Sequence, residues 1–259
     1  MKNPETPRFI PAKRLLLRLG SLCDATLLRR FDSTLSYLEI GLWMKGRGID
    51  PAERMPSREE LFQNLAAQIG DKEVLYLQLG VAAGDSIRCW SQLLKNPGSH
   101  LHGFDTFEGL PLDWRGDLAK GAFSTGGKTP PIDDPRVKFY KGLFEDTLPH
   151  YALPEHEVLV INLDCDLYSS ALYALKSLSL YVSRGTYIYF DEFCHRGNEL
   201  LAFNDFLALT EKRFRTFGAT QTYGQVIFEC VSDSPPGRIA AIPHQESAIA
   251  REGDSCERR

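Results

Sequence analysis

The stretch "EVLVINLDCDLYSS" (residues 157–170) decides how this chain folds. Its apolar run, Val158 to Ile161 with Leu163, is short and nearly continuous, the pattern of a strand covered on both faces of a parallel sheet. The run ends on two carboxylates, Asp164 and Asp166, with only Cys165 between them. In open α/β sheets the carboxyl ends of the strands are where ligands bind, so two mutually repelling acids there ask for a chemical reason.

Working outward, the same kind of strand recurs. "EVLYLQLG" (73–80), "LHGFD" (101–105), "RVKFYKG" (136–142) and "TYIYFDE" (186–192) alternate with helical segments. One helix opens on "SREE" (57–60), a capping box that pairs Ser57 with Glu60, and places Leu61, Phe62, Leu65 and Ile69 on one face. A second starts at Asp85, a third puts Ala171, Leu172, Leu175, Leu178 and Val182 on one side, and a fourth spans roughly 198–212. "FRTFGAT" and "YGQVIFECV" are separated by a short turn, which only an antiparallel hairpin can close. The expected fold is α/β: a mostly parallel sheet with a C-terminal antiparallel hairpin and helices on both faces.

At 259 residues the chain fits one large domain with short appendages. We place an N-terminal helical extension at 1–56, the α/β domain at 57–231 and a flexible tail at 232–259. Thirty basic against 34 acidic residues argue against a nucleic-acid binder. No apolar run is long enough for a membrane span. Residues 1–30 carry seven Lys/Arg and two acids, which suits an amphipathic helix packing on the body or on a second subunit. Membrane-surface contact is the sharper alternative. Six scattered cysteines without CxxC spacing fit a cytoplasmic, disulfide-free protein.

The first strand exits into "LGVAAGDS" (79–86). Gly80 and Gly84 with Ala82 and Ala83 allow close backbone approach, the next helix offers free N–H groups, and Ser86 adds a hydroxyl. The pattern matches neither dinucleotide nor triphosphate fingerprints. Asp105, about 25 residues on, stands where an acid accepts hydrogen bonds from a ribose diol, so an adenosine-containing ligand is expected. Asp164 ends one core strand, and Asp191 with Glu192 ends the next. Adjacent strand ends lie roughly 5 Å apart, so the acids would meet, and a hard divalent cation would relieve their repulsion. Asp166 outside the inner shell could act as general base. One acid could instead cap the helix beginning near Tyr168.

Together "LGVAAGDS", "GFDTFEGLP" (103–111), "GLFEDTLP" (142–149), "LDCDLYSS" (163–170) and "FDEF" (190–193) resemble the macrocin O-methyltransferase family, metal-dependent class I methyltransferases with a Rossmann-like sheet. The resemblance runs from about residue 57 to 231. It implies S-adenosylmethionine as methyl donor, Mg2+ as cofactor, and a hydroxyl of a small molecule, a sugar or other vicinal diol, as acceptor. It places Gly80, Val81, Ala82 and Ser86 around the donor's methionine part and Asp105 at the ribose, with Thr106 and Phe107 also binding the donor. Gly142 and Phe144 would lie near the adenine, Asp164, Asp191 and Glu192 would ligate the metal, and Asp166 would be the base. Two departures stand out: Asp191-Glu192-Phe193 where the family has Asp-Asp-Tyr, and Gln78 where an acid often precedes the first glycine. A homodimer is a further expectation.

The loop 106–135, with Trp114, Arg115, Phe123 and Ser124, suits a lid. His195 and Glu199 follow the last parallel strand, where exposed side chains are the ordinary case. Lys120, Lys128 and Arg136 would ordinarily be solvated. Two other classes compete with the enzyme: a non-catalytic binding module that keeps the donor pocket, and a cofactor-binding oxidoreductase.

Overall fold

The computed structural model describes residues 10–48, 54–114, 118–195 and 197–233. Among them eight strands form one sheet: β1 Arg54–Met55, β2 Val74–Leu79, β3 His100–Asp105, β4 Val137–Lys141, β5 Val158–Leu163, β6 Tyr187–Phe190, β7 Phe214–Thr220 and β8 Val226–Cys230. Their spatial order is β1-β7-β8-β6-β5-β2-β3-β4. Every neighbouring pair is parallel except those of β8, which runs antiparallel to both β6 and β7. The hairpin read from the sequence is therefore inserted into the sheet.

The near-continuous apolar runs have the burial expected of them. Every residue of β2, β5 and β6 is buried, because each strand is covered on both faces. Leu75, Leu77 and Leu79 point into one core with helices α6 (Tyr168–Leu178) and α7 (Glu199–Thr210), and Val74 and Tyr76 into the other with α3 (Arg58–Ile69) and α4 (Asp85–Leu93). The Ser57 cap forms, its hydroxyl accepting the Glu60 N–H at 3.2 Å, and Leu61, Phe62, Leu65 and Ile69 are buried.

Two helices precede the sheet, α1 Ile10–Gly20 and α2 Ala25–Arg47. α2 packs one face on the body through Ile40, Trp43 and Met44, with the Trp43 ring 5.6 Å from Phe193 and 6.0 Å from Phe228. The sheet begins earlier than the expected domain start, since Arg54 and Met55 pair with Ala219 and Thr220. Arg115, and the tail from 234 on, lie outside the described residues. No helix among the described residues is long and apolar enough to cross a membrane.

Candidate active site

Three strand ends build the site through their own hydrogen-bond ladder. The Asp164 N–H donates to Leu79 O at 2.9 Å, the Asp191 N–H to Leu163 O at 3.1 Å, and the Gly80 N–H to Phe104 O at 2.9 Å. These bonds carry pairing one residue past each strand and fix Gly80, Asp164 and Asp191 side by side. Gly80 has φ +91°, and a Cβ there would sit 1.9 Å from the Asp164 carbonyl oxygen, so only glycine lets the two chains touch.

The turn after β2 is held from two directions. Asp105 accepts the N–H groups of Val81 at 2.7 Å, Ala82 at 2.8 Å and Phe107 at 2.7 Å. Gln78 donates to Gly80 O at 2.9 Å and accepts from the buried Tyr76 hydroxyl, which in turn accepts from Asn162 at 2.6 Å. Gln78 thus serves as a brace at the position where an acid was expected. Asp105, expected at a ribose, spends three of its roughly four lone-pair sites on the backbone and retains one toward the cavity that it lines.

On the opposite wall Asp164, Asp166, Asp191 and Glu192 face the same cavity, of about 470 Å3. Asp166 adopts φ +60° inside a three-residue turn closed by Leu167 N–H to Cys165 O at 2.6 Å. Backbone held in that sparsely populated region is a mark of functional sites. The residue capping α6 is Leu167, which contributes no side-chain bond, so neither acid stands at the cap position of that helix.

Burial, and then the Asp191 and Asp166 charges, push the Asp164 carboxyl well above its ordinary range, while Arg58 pulls it down. Asp164 is half-buried and lines the cavity. Asp191 is met by the Tyr189 hydroxyl and, at 3.6 Å, by the Arg58 guanidinium. Burial works against the Arg58 charge, and Asp191 with Tyr189 more than offsets it. Glu192 sits 2.6 Å from His195 Nε2.

Sequence reasoning underrated Glu199. It is fully buried, one carboxylate oxygen accepts the Glu192 N–H at 3.0 Å, and the other, Oε1, has no hydrogen-bond partner. Burial, followed by the Asp164 and Asp191 charges, raises it well above the usual carboxyl range. As the first residue of α7 it resembles an ordinary solvent-facing helix-start acid, and only packing reveals its depth.

Of the expected donor residues, Gly80, Val81, Ala82, Asp105, Thr106, Gly142 and Phe144 line the cavity. Ser86 and Phe107 do not. Ser86 is buried in the first turn of α4, and Phe107 packs edge-on against Phe139 in the core. The loop 106–135 covers the cavity with Leu110, Trp114 and Phe123, and Trp114 meets the His195 ring edge-on at 6.4 Å. Arg136 is a brace, tied to Asp134 and to the carbonyls of Ser91, Leu94 and Asn96.

The acids suit a hard divalent cation in chemistry: oxygen donors only, half-buried along one cavity, mutually repelling, with an unpartnered buried Glu199 oxygen behind them. Their arrangement departs from expectation. Among the described residues no three His, Cys, Asp or Glu side chains are grouped to hold a metal. Asp191 and Glu192 are turned to Tyr189, Arg58 and His195, the nearest donors.

Comparison with known proteins follows the same line. Residues 122–213 match the family model described as macrocin-O-methyltransferase (TylF). Among solved structures the chain is similar to the calicheamicin methyltransferase CalS11, at 20% identity and a TM-score of 0.56 over 66% of this chain and 78% of that one. It is also similar to the O-methyltransferase NovP, at 17% identity and a TM-score of 0.49 over 67% and 79%. No curated protein matches the sequence. The first structural likeness shows the fold, a mostly parallel Rossmann-like sheet with one antiparallel strand. The family likeness is thus confined to residues 122–213, which carry β4 to α7 and with them the acids at the ends of β5 and β6.

Proposed function

We propose that the chain transfers a methyl group from S-adenosylmethionine to one hydroxyl of a vicinal diol, on a sugar or other small molecule, with Mg2+ as cofactor. The observation that carries this reading is the meeting of two unlike walls in one cavity: the braced Gly80–Ala82 turn with Asp105, and the carboxylates Asp164, Asp166, Asp191 and Glu192.

The roles follow from position. The Gly80–Ala82 turn and the remaining lone pair of Asp105 receive the donor, with Gly142 and Phe144 on its base. Methyl transfer needs the acceptor oxygen in line with the sulfonium carbon, and alignment of that kind supplies several kcal/mol. Asp164, Asp191 and Glu192 would hold Mg2+. When bound, the ion lowers the pKa of an acceptor hydroxyl. Asp166, aimed by its turn, takes the proton from that hydroxyl. Leu110, Trp114 and Phe123 keep water from the reacting atoms.

The test incubates the full chain with labelled S-adenosylmethionine, Mg2+ and a panel of catechols and sugar diols. Label in one hydroxyl of a diol, abolished by EDTA, supports the reading. Tight binding of S-adenosylhomocysteine without transfer to any acceptor would instead mark a binding module.

A further inference from the structure

Helix α2 has two apolar faces. One, through Ile40, Trp43 and Met44, is buried on the body. The other carries Leu28, Phe31, Leu35, Leu38 and Leu42, each between 48% and 70% exposed. Their spacing is three, four, three, four. That is the a/d seam of a heptad repeat, a pattern whose knobs need the holes of a second helix.

We infer that this seam is a self-association surface, covered by α2 of a second copy of the chain. Three observations favour that occupant. Five side chains at this exposure offer roughly 500 Å2 per copy, so two copies bury about 1,000 Å2, the lower bound of a specific interface. An isologous contact uses the same patch twice, and a single straight seam is complementary to itself. The seam's edges carry Asp32 and Glu39 on one side and Thr34 and Gly41 on the other. Acids repel an anionic lipid surface, whereas small residues admit a close helix. α1, all of whose described residues escape burial, carries Lys13, Arg14 and Arg18 and no acid, whereas α2 sets both of its acids, Asp32 and Glu39, beside the seam and has Arg29, Arg30, Lys45 and Arg47 elsewhere along its length.

The association reaches the site. Trp43, on the inner face of the same helix, packs on Phe193, the residue after Glu192. A helix clamped between its own body and a partner holds the end of β6 from behind.

The test measures the mass of the full chain in solution by light scattering, beside the double variant Leu35→Asp, Leu38→Asp. Both positions are exposed, so the variant keeps its fold, checked by its melting temperature. The expected result is twice the chain mass for the wild type and a single chain mass for the variant, with the melting temperature of the variant lower by no more than dissociation explains. A monomeric wild type overturns the inference, and sedimentation of that monomer with phosphatidylglycerol vesicles would assign the apolar face to a membrane instead. A dimer that survives both substitutions overturns it too, by moving the contact elsewhere.

Discussion

The two walls of the cavity are built on opposite plans. On the side of the Gly80–Ala82 turn the polar groups are satisfied inside the chain: Asp105 takes three backbone N–H groups, and Gln78 with Tyr76 and Asn162 holds the Gly80 carbonyl. On the other side four carboxylates and Glu199 crowd together, and the groups they meet include Arg58, His195 and Tyr189. A wall that must present an unchanging shape is rigid before anything binds. A wall that gathers like charges does so at a cost to stability.

Gly80 is where the walls touch, so breaking it should have the largest effect. Gly80→Ala forces a Cβ against the Asp164 carbonyl at a positive φ, and we expect a loss of more than about 3 kcal/mol in urea unfolding, with both walls displaced. Asp105→Ala removes the two oxygens that accept three backbone N–H groups. It should cost about 3 kcal/mol and abolish calorimetric binding of S-adenosylhomocysteine, leaving the acid wall in place.

On the other wall, Asp166→Asn should lower kcat by roughly 100- to 10,000-fold with little change in melting temperature or in donor binding. Arg58→Gln withdraws a cation from the acids. The expected loss is about 1 kcal/mol in EDTA, smaller in Mg2+, seen as a larger Mg2+-induced rise in melting temperature than the wild type shows.

Glu199→Gln sharpens the contrast through pH. A carboxyl raised in the folded state is held protonated there, so its stabilising share is complete below the ordinary carboxyl value and is lost as pH rises toward the folded value. Glutamine mimics the protonated acid, so the variant should match the wild type near pH 5 and exceed it by up to about 1 kcal/mol at pH 8.

The rigid parts of this design were largely legible in sequence. β2, β5 and β6 are apolar throughout because both faces are covered, and the glycines of the first turn announce close approach. What escaped was decided by packing across the chain. β1 is only Arg54 and Met55, too short to carry a period, and exists because β7 offers an edge. Spacing put Ser86 and Phe107 beside Asp105 and Gly84 but could not say which way each side chain points. The backbone partners of Asp105 and the burial of Glu199 depend on loops and helices that meet only after folding. Arg58 read as part of a capping box, yet its guanidinium reaches the end of β6.

The central claim is that the acid wall gathers its carboxylates for a divalent cation. A Mn2+ titration of the full chain with S-adenosylhomocysteine, followed by electron paramagnetic resonance, tests it most directly. The account predicts one bound ion per chain, lost in Asp164→Asn. No bound ion, or binding undiminished by that substitution, would contradict it.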